Sequence, residues 1–318
     1  MPNPCSFDDL KQRPGPPLNS WGLWGEENEL GQLNNITPES IMRGNAAVKR
    51  GIRVGLNLPI NTFPHINEHR AGLTHKVCDN GYYLDDEIHL NTQCATQWDG
   101  FVHVPYQNYP EKGKYAYHGG LTHEQAADPK VTKFKVQNFA THPITSRAHL
   151  LDVVEYRKSQ GKEAPQCMKR TGIELEELQA IAKWKNIEFA SGDIILVRTG
   201  FTEEFEGCGD EGRKGFDPMQ GAVGIEASEE FMRWVWDNEF PAVATDTFAF
   251  EAWPPTFKTP AIHEVFLAGW GLPLGELFDL RELARKCKEF DQYTFLFTSC
   301  GLNIVGGIAT PPNAQAIL

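Results

Sequence analysis

Apolar positions along this chain follow two rhythms. Between Gly172 and Asn186 they recur at 175, 178, 181 and 182, with Glu early and Lys late, which marks an amphipathic helix. A second helix is expected over Ser228–Asn238, with Phe231, Trp234 and Val235 along one side. Two more are expected, over about Ala261–Leu267 with an end near Gly269, and over Asp279–Lys288. Short, mostly apolar runs between them read as buried strands: Leu150–Val154 within His149–Tyr156, Ile194–Val197 and Ala242–Asp246. Strands over Tyr293–Ser299 and Asn303–Val305 finish the chain. Helix and strand thus alternate through the second half. That alternation implies an α/β fold, one domain with a mixed sheet flanked by helices.

The first half is richer in strand and loop signals. Thr37-Pro38-Glu39 opens a helix with a hydroxyl cap, Pro at its first position and an acid in its first turn. It should run to about Arg50 and stop at Gly51. Ile52–Ile60 then reads as a strand and Asn61–Asp86 as loop. His65 and His69 have the four-residue spacing of helical metal ligands, yet no helix supports them, so surface histidines are expected. Residues 1–36, rich in Pro, Gly and Asn, are expected to form an irregular arm that docks through Trp21 and Trp24; residues 37–318 form the main domain. Glu203–Gly215, acidic and rich in glycine, reads as a solvated excursion.

Glu87–Thr92 leads as a strand into Asn91–Val104. If that stretch is extended, Gln93, Ala95, Gln97, Asp99, Phe101 and His103 share one face, and Thr92, Cys94, Thr96, Trp98, Gly100 and Val102 take the other. Two amides, a carboxylate and an imidazole then form a polar row, which needs partners if buried. It is either a hydrogen-bonded seam or the lining of a site. Gly100 can break the alternation with a bend. The Tyr-rich stretch Pro105–Gly120 beyond it is either a pocket wall or a packed loop.

Composition narrows what such a site can serve. The chain has 318 residues, 41% hydrophobic and 23% charged, as in ordinary globular proteins. A net charge of −12, with no basic run, argues against nucleic acid and against an anionic membrane surface as partners. No apolar run approaches the roughly 18 residues of a membrane span. The first residues lack a basic segment followed by an apolar one, so no signal peptide and a cytoplasmic location are expected. Seven scattered cysteines with no C-x-x-C read as reduced small hydrophobes.

The nucleophile-elbow, phosphate-loop and dinucleotide-fingerprint motifs are missing. The remaining candidates are the polar row, Asp246 at the end of a buried strand, His263 on a helix, and Glu276 in the apolar string Leu-Pro-Leu-Gly-Glu-Leu-Phe. Spacing alone does not join them.

The string Gln93-Cys-Ala-Thr96-Gln97-Trp-Asp99-Gly-Phe-Val-His103 resembles the HxGTHxDxPxH hallmark of the cyclase family of hydrolases, which includes bacterial-type kynurenine formamidases and isatin hydrolases. Thr96, Asp99 and His103 match; Gln93 and Gln97 stand where the family has histidine, Ala95 where it has Gly, and Phe101 where it has Pro. The resemblance extends to Trp24-Gly, Glu29–Asn34, Leu150-Leu-Asp152, Gly192–Gly200, Thr245-Asp246-Thr247, His263 and Glu276. The Thr-Gln-Trp-Asp-Gly form looks like a divergent branch of that family.

The resemblance implies a swivelling β/β/α-like fold, a homo-oligomer, and a divalent metal, Zn or Mn, facing Gln93, Gln97, Asp99, His263 and Glu276. It implies His103 as acid/base in hydrolysis of an amide or lactone, with Asp99 and Gln97 beside it in catalysis. Gln93 is expected to touch a small substrate, while Trp98, Phe101 and the Tyr-rich loop read either as contacts for a flat or aromatic substrate or as core. An amide oxygen is a weaker donor than imidazole for zinc or manganese. Three readings therefore stay open: a weakly held metal, amide groups serving as carbonyl donors, and a binding protein on an enzyme scaffold. The arm at Trp21 and Trp24 is a candidate for reaching across an oligomer interface.

Overall fold

Nine strands pair into one curled mixed sheet, ordered Arg53–Gly55, Ala314–Ile317, Thr294–Ser299, Ile144–Asp152, Ile194–Arg198, Val243–Thr245, Leu274–Glu276, Gln97–Asp99, Ala309–Thr310. The computed structural model describes residues 5–63, 69–217, 220–255 and 261–318; His65 lies outside them. Ile144–Asp152, Ile194–Arg198, Val243–Thr245 and Leu274–Glu276 run parallel, and the other pairings are antiparallel. Each parallel step requires a crossover, and helices fill the crossovers: Val153–Ser159 with Leu175–Trp184, then Glu229–Asp237, then a segment ending at Trp270. A bridge from Asn57 to Phe278 ties the first strand's continuation back to the far side of the sheet.

Burial explains the local patterns. Ile194, Ile195, Leu196, Val197, Val243 and Ala244 are fully buried because layers cover both faces of the parallel strands. Thr294–Ser299 alternates half-buried and buried residues, as expected where one face is less covered. Thr37 caps the helix Pro38–Ala47 reciprocally with Ser40, and Ser228 caps Glu229–Asp237.

Several elements differ from the sequence reading. The strand at 144–152 begins earlier and ends sooner, because Asp152 accepts the Glu155 N–H and starts a helix at Val153. Ile52–Ile60 contracts to Arg53–Gly55. Thr74–Asp79, inside the expected loop, and Leu84–His89, which begins in that loop and ends before the expected strand Glu87–Thr92 does, form an exposed hairpin. Its mixed charge and exposed apolar residues obscured the alternation that marks a half-buried strand. Glu203–Gly215 is mostly helical, as Phe201–Gly207 and Gly209–Gly215, because Phe201 and Phe205 are buried. No strand covers Asn303–Val305; the last strands are Ala309–Thr310 and Ala314–Ile317. The seven cysteines are free. No helix among the described residues is long and apolar enough to cross a membrane.

Residues 5–36 lie against the body of their own chain, with short helices at Phe7–Gln12 and Gly31–Asn35. Trp21 packs on Tyr106 and Tyr109, and Trp24 on Trp236, so both rings are engaged within the chain. The arm also satisfies the end of the π-helical segment Glu264–Trp270. Ser20 donates its N–H to the Gly269 carbonyl, Trp21 Nε1 to Ala268, and Gln32 N–H to Gly271. Trp270 Nε1 returns a bond to the Leu18 carbonyl at 2.7 Å. Carbonyls at a helix end otherwise lack intrahelical partners.

His118 supports the same end. Its Nδ1–H donates to the Ala268 carbonyl at 3.1 Å, and its ring is wedged between Phe101 and Phe134. Burial pushes the imidazole down from 6.5 to about 4. A depressed folded pKa stabilises the fold fully above 6.5, and that contribution is lost as pH falls through about 4. Urea unfolding across this window should show a loss of about 3 kcal/mol from this group. His118→Gln should remove that part of the pH dependence.

Candidate active site

Two short strands set the site. Gln97–Asp99 runs antiparallel to Leu274–Glu276 with Gln97 opposite Glu276, Trp98 opposite Gly275 and Asp99 opposite Leu274. Directly opposed residues share a face, so Gln97, Asp99 and Glu276 project together and Trp98 projects the other way. Gln97 Nε2 donates to Glu276 Oε2 at 2.6 Å. Only these three residues of Asn91–Val104 form a strand; Gln93 arrives by a turn in which Asn91 Oδ1 accepts its N–H. From there Gln93 Nε2 donates to Asp99 Oδ1 at 2.6 Å.

His263 enters from the helical turn that runs into Glu264–Trp270. Its Nε2 lies 3.1 Å from Glu276 Oε1 and 3.5 Å from Asp99 Oδ2. Its Nδ1 is 2.5 Å from Glu251 Oε2, which fixes the ring's orientation. The Phe250 N–H donates to Glu276 Oε1. Glu251 passes close to Gly224, where a Cβ would fall 2.3 Å from the Glu251 carbonyl carbon, so glycine is required there. His103 stands at the edge, its Nε2 3.9 Å from Asp99 Oδ2. Asp99, Gln97, Glu276 and Glu251 are at most 2% exposed, whereas the His103 and His263 side chains are 23% and 12% exposed. Access is therefore from the side of the two imidazoles.

The charges are strongly interdependent. Burial and the neighbouring Asp99 charge hold Glu276 above its ordinary pKa. Burial also opposes ionisation of Asp99, but the positive charges of His103, His263 and Arg70 outweigh it and hold that carboxyl below its usual range. Burial works against a charged His263, yet Glu251, Asp99 and Glu276 together raise it well above 6.5. His103 is pushed down by burial, which Asp99 offsets only in part.

These residues fit a divalent cation. Donor atoms of Asp99, His263 and Glu276 all lie within 4.8 Å of one another. Ligands held at about 2.1 Å stand about 3.0 Å apart at a right angle and about 3.4 Å apart at a tetrahedral angle. The separations of 3.1 and 3.5 Å from His263 Nε2 match that range. Asp99 Oδ2 and Gln97 Oε1 are buried without a hydrogen-bond partner among the described residues. A cation in contact with these two acceptors would satisfy both.

Of the residues singled out from sequence, Gln93, Gln97, Asp99, His103, His263 and Glu276 meet here. Trp98 and Phe101, expected against the substrate, do not. Trp98 is fully buried on the opposite face, over the space left by Gly275, with Nε1 donating to Ser299 Oγ at 2.8 Å. Phe101 packs on His118 and Phe139 because the chain turns at Gly100 and abandons the strand alternation. Tyr106 is likewise buried, its hydroxyl on the Pro17 carbonyl. Asp246 lies in a separate knot, accepting from Thr199 N–H, Thr199 Oγ1 and Gly200 N–H. Glu251 and Arg70 were not foreseen. The only hint of Glu251 is a carboxylate in the apolar run Phe-Ala-Phe-Glu-Ala-Trp.

The chain belongs to the cyclase family: residues 45–252 match the family described as "Putative cyclase", a stretch that includes the whole Gln93–His103 motif. A crystal structure described as a novel cyclase superposes with a TM-score of 0.82 at 25% identity, covering 94% of this chain and 99% of that one. An isatin hydrolase bound to the product analogue thioisatinate has a TM-score of 0.58 at 12% identity, covering 89% and 99%. Isatin hydrolase A from Labrenzia aggregata has a TM-score of 0.55 at 14% identity, covering 87% and 97%. Both isatin hydrolases share the fold. No curated protein sequence matches this chain.

The opposed faces of the Gln97–Asp99 strand make separable demands. Trp98→Ala should lower the unfolding free energy by about 3–5 kcal/mol in urea titration, as for a large buried ring. His103→Ala, at the accessible edge, should change it by less than about 1 kcal/mol.

Proposed function

We propose that this chain is a hydrolase acting on a non-peptide amide, a cyclic amide or a lactone, with a divalent metal held by Asp99, His263 and Glu276. The meeting of those three donors in one buried place, with Asp99 Oδ2 unbonded among the described residues, carries the reading. Membership of the cyclase family and a fold shared with isatin hydrolases support it. A metal bound there supplies Lewis acidity toward a carbonyl and toward water.

The chain's own residues supply the rest. Gln93 occupies Asp99 Oδ1, which leaves Oδ2 for the centre. Glu251 engages His263 Nδ1 and so leaves Nε2 for the centre, the usual way a carboxylate orients a ligating histidine. His103, its pKa lowered by burial, is disposed to take a proton from water and pass it to the leaving nitrogen or oxygen. Its place at the accessible edge of the cluster supports that role.

The competing reading, in which Gln amides polarise the carbonyl directly, is less well supported. One N–H of each Gln93 and Gln97 amide already donates to Asp99 and Glu276, which leaves each at most one donor for a carbonyl.

Elemental analysis of protein purified without chelator should show about one divalent ion per chain, and Asp99→Ala should abolish it. His103→Ala should retain the ion and lower turnover on formamides, cyclic imides or lactones by roughly a hundredfold. Hydrolysis that survives exhaustive chelation would transfer the mechanism to the amides. A panel wholly untouched by the metal-loaded protein would leave a small-molecule binder.

A further inference from the structure

We propose that Gln97 sets the choice of ion, making this an oxygen-dominated centre in which the usual preference for Zn2+ over a harder divalent ion of the Mn2+ class is compressed. The inference rests on the metal-centre reading above. Among the three clustered donors, His263 Nε2 is the single nitrogen; Asp99 and Glu276 contribute oxygen. Gln97 is fully buried on the same strand face as Asp99, directly opposite Glu276. Its Nε2 is committed to Glu276 Oε2, and its Oε1 is buried without a partner among the described residues. A buried acceptor left unsatisfied keeps its full desolvation penalty, which a cation in contact with it would offset.

The resulting set is two carboxylates, an amide oxygen and one imidazole. Carboxylate and carbonyl oxygens suit Mg2+, Ca2+ and Mn2+, while additional imidazoles favour Zn2+. Gln93 cannot restore the balance, because it is a second amide and its nitrogen is held by Asp99. Most sites bind Zn2+ more tightly than Mn2+ whatever their ligands, so the signature is a compressed preference rather than a bare affinity.

Chelator-stripped protein titrated with Mn2+ and with Zn2+ by calorimetry, with bound Mn2+ counted by electron paramagnetic resonance, tests this without reference to turnover. In the unaltered chain the zinc-to-manganese affinity ratio should stay within about tenfold. Gln97→His should tighten Zn2+ by about tenfold or more while Mn2+ changes by less than about threefold. Gln97→Met, of similar volume but without the oxygen, should weaken Mn2+ by about tenfold, the scale of losing a supporting group. Melting curves establish that each variant is folded; should Gln97→His not fold, the loss or retention of Mn2+ by Gln97→Met decides. A zinc preference above about a thousandfold, unchanged in the variants, overturns the inference and leaves the metal centre standing. Binding of neither ion at millimolar concentration overturns both.

Discussion

The demand that shapes this molecule is the burial of Asp99, Glu276 and Glu251 around one imidazole. Taking ionised carboxylates out of water costs many kcal/mol unless each oxygen finds a hydrogen bond, a counter-charge or a metal. Gln93 meets one oxygen of Asp99, Gln97 and the Phe250 N–H meet Glu276, and the two nitrogens of His263 bond Glu251 and Glu276. What this network leaves over, Asp99 Oδ2 and Gln97 Oε1, is the part of the site with capacity for a ligand. A partly satisfied polar network is costly in a core that only has to be stable, and is found where a site has to bind something.

The strand Gln97–Asp99 does structural and chemical duty on its two faces. Its polar face supplies Gln97 and Asp99; its other face supplies Trp98, which fills the gap over Gly275 and packs against Phe278 and Phe297. Thr96, just before it, donates to the Leu277 carbonyl at 2.6 Å and accepts the Leu58 N–H at 2.8 Å. The motif is therefore pinned at its start and through its core face. That rigidity holds Asp99 and Glu276 near each other despite their like charge.

His263 depends on a more distant support. Its helix passes into a π-helical segment whose last carbonyls are met by Ser20, Trp21, His118 and Gln32. Irregular helices of this kind are frequent at functional sites, and here the irregularity needs partners from outside the helix. The arm is thus coupled to the placement of one donor through carbonyls at the opposite end of a two-turn segment.

Sequence alone determined the parts that local physics fixes. Ile194–Val197 had to be a buried strand because nothing polar interrupts it. Thr37-Pro38 and Ser228 had to start helices because their hydroxyls satisfy free N–H groups. The resemblance of Gln93–His103 to the cyclase hallmark added the residues His263 and Glu276, which no spacing argument could have joined to Asp99. Only the tertiary structure decided which face each residue takes. An alternating pattern over Asn91–Val104 placed Phe101 beside Asp99, but the strand is three residues long and the chain turns at Gly100, so Phe101 enters the core. Trp98 was assigned to the substrate because an indole suits either a pocket or a core; the empty space over Gly275, set by strand register, settled the choice. Glu251 was invisible because its role exists only where His263 arrives from another element. Side-chain partnerships across long separations depend on register and on crossovers, and neither is written in the local order of residues.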